Sequence, residues 1–290
     1  MDAKQIYEKV QERYGSAAKE SSGEYAHVVA KAFGYSEEEL TTIPKDANLG
    51  LSCGNPLALA KLGEGETVID LGSGAGFDIF LAAKMVGAHG RAIGVDMNKD
   101  MLERANRNRE AALANNVSFI ESAITAIPLP DGSAHCIISN CVVNLVPEQE
   151  KQLAFNEMFR LLKPGGRVAI SDILTRKDLP KELKENMALY VGCIAGASRI
   201  KDYERYLQEA GFQDILIVDS KHDLNVYTDV NKDGSRDFCC GSGKQLSYCK
   251  NGSSCCGEDL TGNRLENSAE QYKGFDFNEW AGSFKIYAVK

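Results

Sequence analysis

An α/β fold built on a doubly wound, mostly parallel sheet of seven strands is what this 290-residue sequence predicts. Three observations carry that expectation. Short β-branched runs alternate with helical patterns five times between residues 66 and 173. The first run breaks into glycines at alternate positions and leads directly into a helix, the start of a nucleotide-binding βα unit. The chain ends in Ala281-Gly-Ser-Phe-Lys-Ile-Tyr-Ala-Val-Lys, an alternating pattern suited to an antiparallel edge strand.

Residues 3–13 have the period of a short amphipathic helix, and residues 15–23, rich in Gly and Ser, are expected to loop. A second helix over 25–33 would set Ala26, Val29, Ala30 and Phe33 on one face. Ser36-Glu-Glu-Glu reads as a helix start, with Ser36 the N-cap and Glu39 three residues on. An irregular stretch over 43–56 contains Gly50, Cys53, Gly54, Asn55 and Pro56 and runs into a short helix over 57–62. It enters the first strand from upstream, so it is placed to lie across the glycine turn. Strand and helix then alternate: Val68 to Leu71, a helix from Phe77 through Met85, strand 92–95 and helix 98–114. Strand 117–120, strand 134–139, helix 148–162 and strand 167–173 follow, with Lys163-Pro-Gly-Gly ending the last helix. Beyond residue 179 come two helices, 181–197 and 200–210, the second closed by Gly211, and a sixth strand over 212–219. Residues 228–275, rich in Gly, Ser, Asn and Cys, are expected to form a long insertion without regular structure before the closing strand.

A net charge of −8 argues against nucleic acid as a partner, since phosphate binding needs a basic surface. No apolar stretch reaches membrane-spanning length and the first ten residues are polar, so a cytoplasmic protein without membrane contact is expected, as a monomer. In that compartment nine cysteines read as thiols that bind or react more readily than as a disulfide scaffold.

The glycine turn selects the ligand. A dinucleotide fingerprint needs glycine at the sixth position, where this chain has Phe77. The pattern is instead Asp70-x-Gly72-x-Gly74-x-Gly76, with a carboxylate at the strand end that suits an ammonium and repels a pyrophosphate. A second strand ends in Asp96, placed to accept ribose hydroxyls. Together these resemble the first two motifs of the S-adenosylmethionine (SAM)-dependent methyltransferases of class I, with their Rossmann-like fold. The resemblance implies that Asp70, Gly72, Ser73, Gly74 and Gly76 hold the methionine end. Asp96 and Met97 would take the ribose, Ala123 and Ile124 the adenine, and Asn140 would border the sulfonium.

The thiols divide by context. Cys136, mid-strand, reads as a small buried hydrophobe, and Cys141 as packing beside the methyl donor. Cys53, in the loop across the pocket, and Cys193, between Gly192 and Gly196, read as ligands of a soft, thiophilic centre. Cys239, Cys240, Cys249, Cys255 and Cys256 crowd the insertion without the spacing of a zinc ribbon, although zinc binding or disulfide stapling is an alternative there. Residues 229–237 follow a calcium-loop pattern, but its twelfth position is Cys240 rather than Glu.

Six strings taken together resemble the arsenite methyltransferases across roughly residues 25–220. They are Leu49-Gly-Leu-Ser-Cys-Gly-Asn-Pro, Asp70-Leu-Gly-Ser-Gly-Ala-Gly-Phe-Asp, Gly94-Val-Asp-Met, Ser139-Asn-Cys-Val-Val-Asn-Leu-Val-Pro, Leu162-Lys-Pro-Gly-Gly and Tyr190-Val-Gly-Cys-Ile-Ala-Gly-Ala. The resemblance implies methyl transfer from SAM to arsenite and methylarsenite, with Cys53, Cys193 and Cys239 or Cys240 as catalytic thiols. Cys53, Cys193 and Cys240 would hold the arsenic, and a reductant such as glutathione or thioredoxin would renew the thiols. No cysteine precedes Cys53, so the family's upstream thiol has no counterpart here. The resulting division is a helical segment over 1–48, a SAM-binding core over 49–175 and an arsenic-binding part over 176–290 that includes the insertion and closing strand. Two other readings stay open: a SAM-dependent methyltransferase of another small molecule, and a non-catalytic metalloid-binding protein.

Overall fold

In the computed structural model the described residues are 2–20, 23–180, 195–225 and 276–290. Seven strands form one sheet: β1 (Thr67–Leu71), β2 (Arg91–Asp96), β3 (Val117–Glu121), β4 (Ala134–Asn140), β5 (Leu162–Thr175), β6 (Gln213–Asp219) and β7 (Ala281–Val289). Their spatial order is β3-β2-β1-β4-β5-β7-β6. The first five run parallel, and β7 is antiparallel to both β5 and β6, as the alternating terminal segment predicts. The order reverses between β1 and β4. Connections leave those two strands in opposite directions, which opens a crevice at their carboxyl ends.

Alternation along the strands sends side chains to two cores. Ile69, Leu71, Val95, Ile137 and Ile170 pack with Phe155, Met158 and Leu161 of α7 (Lys151–Leu161) and Tyr203 and Leu207 of α8 (Ile200–Ala210). Val68, Ala92, Cys136, Ile138 and Ala169 face the other way, onto Ile79, Phe80, Ala83 and Val86 of α5 (Phe77–Val86). The chain begins with α1 (Ala3–Lys19), α2 (Gly23–Ala32) and α3 (Glu37–Thr41), the last carrying the expected capping box between Ser36 and Glu39. A single turn, α4 (Leu57–Ala60), precedes β1, and α6 (Lys99–Ala111) joins β2 to β3 with Asn98 as its N-cap.

Three local expectations are corrected. The first helix does not stop at residue 13 but continues to Lys19. Gly15 lies so close to α6 that a Cβ there would meet Asp100 Oδ2 at 2.9 Å, and Ala17 and Ala18 bury against Met101, so packing overrides the local turn signal. The helix expected over 57–62 ends at Ala60, because Lys61 adopts φ 44° and the carbonyls of Ala60 and Lys61 accept from Arg167 Nε and Nη2 at 2.6 and 2.8 Å. Lys163-Pro-Gly-Gly does end a helix, at Leu161, but it continues as extended chain inside β5. The expected helix over 181–197 lies mostly outside the described residues, and the insertion over 228–275 lies wholly outside them.

Phe155 is fully buried, edge-on to Tyr203 at 4.9 Å and stacked on Tyr206 at 5.4 Å. Phe155→Ala should therefore cost ~3–5 kcal/mol of stability, read as a lower urea midpoint at unchanged slope.

Candidate functional site

The crevice between β1 and β4 deepens into a cavity with roughly 1070 Å³ of atom-free space, open solvent at its mouth included. Asp70, Gly72, Ser73, Gly74, Asp96, Met97, Ala123, Ile124 and Asn140 all line it. Gly76 does not; it caps α5 at φ 98°, with its Cα against the rings of Phe80 and Phe119. Gly72 is held at φ 70°, and a Cβ there would run into Val142. Its N–H and that of Ser73 donate to Val95 O at 2.7 and 3.0 Å, which binds the glycine turn to β2. Any side chain at Gly72 would face both steric overlap and a disfavoured backbone.

Three carboxylates share this mostly apolar cavity. Asp70 is buried at the end of β1, and its pKa is pushed well above the usual range by burial first, then by Asp78 and Asp96. Burial also raises Asp96, although its two oxygens accept from Gly74 N at 2.9 Å and Asn98 N at 2.8 Å. Asp78 is pushed to about 6 by burial, against hydrogen bonds from Tyr35 and Asn140 that favour its charged form. The Tyr35 hydroxyl donates to Asp78 Oδ1 at 2.6 Å. Desolvated carboxylates clustered in this way leave the cavity in need of positive charge.

Asn140 joins the cavity to the thiols. Its Nδ2 donates to Asp78 Oδ2 at 2.9 Å, Gly54 O at 2.8 Å and Tyr35 Oη at 3.0 Å. Its Oδ1 accepts from Cys53 N at 3.2 Å. Cys53 is fully buried, held from the far side by Ser283 Oγ, which donates to Cys53 O at 2.6 Å. Cys53 is disulfide-bonded to Cys141, 88 residues later, with their Cα atoms 6.0 Å apart. Two expectations change here. Cys53 is a half-cystine rather than a free thiol, and Cys141 is its partner rather than mere packing. The reason is local: Cys141 takes φ 59° directly after β4 while its N–H donates to Ser171 O at 2.9 Å. Cys141 lines the cavity and Cys53 does not, so the pair meets the cavity through Cys141. Asp172 completes the cluster, its carboxylate and both sulfurs lying within 4.8 Å of one another. Cys136 is a buried free thiol whose pKa burial raises to about 12, in keeping with a packing role. Cys193, Cys239, Cys240, Cys249, Cys255, Cys256 and the calcium-like loop lie outside the described residues.

Sequence reading missed the roof of the cavity. Tyr7, Val10, Gln11 and Tyr14 of α1 line it. The helix is fastened by Asn98 Nδ2 donating to Gln11 O at 2.9 Å, by Arg104 Nη1 donating to the carbonyls of Ala18 and Glu20, and by Tyr7 Oη donating to Glu150 Oε2 at 2.7 Å. The one trace in the sequence is that Arg104 falls in the inward stripe of α6 with Met101 and Ala105, where a guanidinium needs several acceptors, but nothing there says which segment supplies them.

The crevice, glycine turn and strand-end acids define a class I SAM-dependent methyltransferase fold. The methyltransferase domain family model matches residues 62–211, and the chain belongs to that family. It is 43% identical over 204 residues to an arsenite methyltransferase of Halobacterium salinarum, covering 70% of this chain and 52% of that protein. It is 31% identical over 241 residues to the arsenite methyltransferase of Mus musculus, covering 76% and 63%. The chain thus spans about half to two-thirds of the length of these curated relatives. Among solved structures it is similar to an arsenic(III) S-adenosylmethionine methyltransferase from Chlamydomonas reinhardtii, with a TM-score of 0.54 and 25% identity over 90% of this chain and 72% of the other. No helix among the described residues is long and apolar enough to cross a membrane.

Asp172 offers a pH test. Burial lifts its pKa from 3.8 to about 7 despite a hydrogen bond from Ile173 N, the nearby Lys151 charge and a hydrogen bond from Tyr203. Between those values the folded state holds a proton that the unfolded chain has released, so this group erodes stability as pH rises. Asp172→Asn removes the titration. Its stability relative to wild type should improve steadily from pH 4 to about 7 and then level off, as followed by denaturant unfolding across that range.

Proposed function

We propose that this protein transfers a methyl group from SAM to trivalent arsenic, arsenite first and methylarsenite after it. The observation that carries the reading is that the Cys53–Cys141 pair opens, through Cys141, onto the cavity lined by Asp70, Asp96 and the glycine turn. The cavity suits the donor: the buried carboxylates of Asp70 and Asp78 and the half-buried one of Asp96 match its cationic groups, and the buried Ser73 Oγ has no partner among the described residues. When bound, SAM supplies an electrophilic methyl carried on sulfonium.

In this reading Asp70 and the amides of the glycine turn bind the methionine end. Asp96, already fixed by two backbone N–H groups, accepts ribose hydroxyls, with Met97 beside it. Ala123 and Ile124 flank the adenine, and Asn140 borders the sulfonium. Tyr7, Val10, Gln11 and Tyr14 keep water out. Cys141 presents arsenic to the cavity, with Cys193 and Cys239 or Cys240 as the further ligands. The arsenic lone pair is the nucleophile, so no general base is needed, and holding it in line with the methyl is worth ~7–11 kcal/mol. The new As–C bond uses that lone pair and leaves arsenic formally pentavalent. Joining the Cys53 and Cys141 thiolates returns two electrons and restores the trivalent state. A reductant such as glutathione or thioredoxin then reopens the disulfide. Residues 1–48 cover the donor, 49–175 hold it and 176–290 complete the arsenic site, in a monomeric cytoplasmic protein.

One observation favours a second reading. Asp78, which lines the cavity and accepts from the Tyr35 hydroxyl behind it, could serve as a base for a protic small-molecule acceptor. Arsenical speciation after incubation with SAM, arsenite and thioredoxin separates the two, because no methylated arsenic forms under the second.

Cys141→Ser should abolish arsenite methylation and leave SAM affinity unchanged, whereas Cys136→Ala should retain turnover. Normal methylation by the Cys141 variant would sink the thiol assignment. Asp96→Ala should weaken SAM binding by ~1–3 kcal/mol, measured by calorimetry, without altering arsenite binding.

A further inference from the structure

Asp172 is left without a part in the methyl transfer described above, yet it is built into the thiol cluster with care. It is fully buried on β5. Its Oδ1 accepts from Asn144 Nδ2 at 2.7 Å and from Ile173 N at 2.9 Å, and its Oδ2 accepts from Tyr203 Oη at 3.3 Å. Asn144 is itself fully buried and pinned by donation to Ile173 O at 2.6 Å. A carboxylate oriented by a buried amide and a buried phenol, with two sulfurs within 4.8 Å, has the layout of a metal-ligand set with its supporting shell.

We propose that Cys53, Cys141 and Asp172 form a binding site for a thiophilic divalent cation of the zinc class whenever the disulfide is reduced. The donor set selects the metal. Two thiolates disfavour magnesium and calcium, which take oxygen ligands, and the carboxylate disfavours copper(I), which prefers sulfur alone. Two sulfurs and one oxygen are within the range of donors that tetrahedral zinc accepts. Asn140 Oδ1, 3.6 Å from the Cys53 sulfur, is available as a fourth donor. Binding releases the two thiol protons and changes no oxidation state. The bound cation occupies the electron pairs that would otherwise form the disulfide, so it locks the dithiol and excludes arsenic from Cys141. This site goes beyond the methyl-transfer reading, and its test uses neither arsenic nor SAM.

Fully reduced protein is treated with diamide under argon at increasing free zinc. Samples are quenched in denaturant with an alkylating agent, and the Cys53–Cys141 disulfide peptide is quantified by mass spectrometry. Zinc should suppress that disulfide in saturable fashion. In Asp172→Asn much more zinc should be required, and in Asn144→Ala about 10–100-fold more, the usual cost of losing a supporting partner. The insertion's cysteines are the same in all three proteins, so the difference reads this site. Buffering the free zinc removes their effect on its supply. Should Asp172→Asn not fold, the Asn144 variant carries the same comparison. Disulfide formation unaffected by zinc in the wild type would overturn the site. So would equal zinc protection in wild type and both variants, which would reduce it to two thiols without Asp172.

Discussion

The side-chain amide of Asn140 is the interaction on which the arrangement of the site depends. It stands at the end of β4, beside the point where the strand order reverses, and uses both of its ends. The nitrogen is shared among Asp78, Tyr35 and Gly54, while the oxygen accepts from the backbone of Cys53. Those contacts draw the loop before α4 across the crevice and set the first half-cystine opposite the second. An aspartate would lose the donors, and an apolar residue of similar size would take one partner from each of four polar groups, leaving Gly54 O and Cys53 N without the side chain that holds their loop. The geometry of donor pocket and thiols therefore follows from one amide positioned by a parallel sheet.

Much of this was legible because the relevant signals are local. Strand, glycine turn and helix follow one another within residues 67–86, and Asp70 and Asp96 mark strand ends by position alone. The antiparallel closing strand was readable from its alternation. What was not legible depends on contacts between distant segments. Nothing near Gly15 announces that α1 runs on to Lys19, since the cause is its close approach to Asp100. The same holds for α1 as a wall of the cavity, which is fixed by Arg104 reaching back 84 and 86 residues.

Cys141 shows the limit more sharply. Its surroundings in sequence are apolar, which favours packing, and only the left-handed backbone at φ 59° turns it towards a loop 88 residues upstream. Residues beyond glycine seldom adopt that conformation unless the surroundings impose it. Here the imposing contact is the Cys141 N–H donating to Ser171, on the strand next to β4. A reading of spacing assigns Cys53 to the site and misses the residue through which Cys53 reaches it.

Charge explains why donor and thiols share one crevice. The cavity holds three carboxylates that burial drives towards protonation, and its walls, among the described residues, supply no cation to offset them. A cationic donor relieves that cost on entering, so part of its affinity arises from carboxylates being allowed to ionise. The same carboxylates would repel thiolates brought beside them. Keeping Cys53 behind the wall, bonded to Cys141 and held through its backbone by Asn140 and Ser283, separates the two negative groups until a thiophilic cation or metalloid is present to neutralise them. Asp172 fits the same logic: buried, elevated to about 7, and satisfied by Asn144 and Tyr203, it tolerates neutrality in the oxidised state and gains charge when a positive centre arrives.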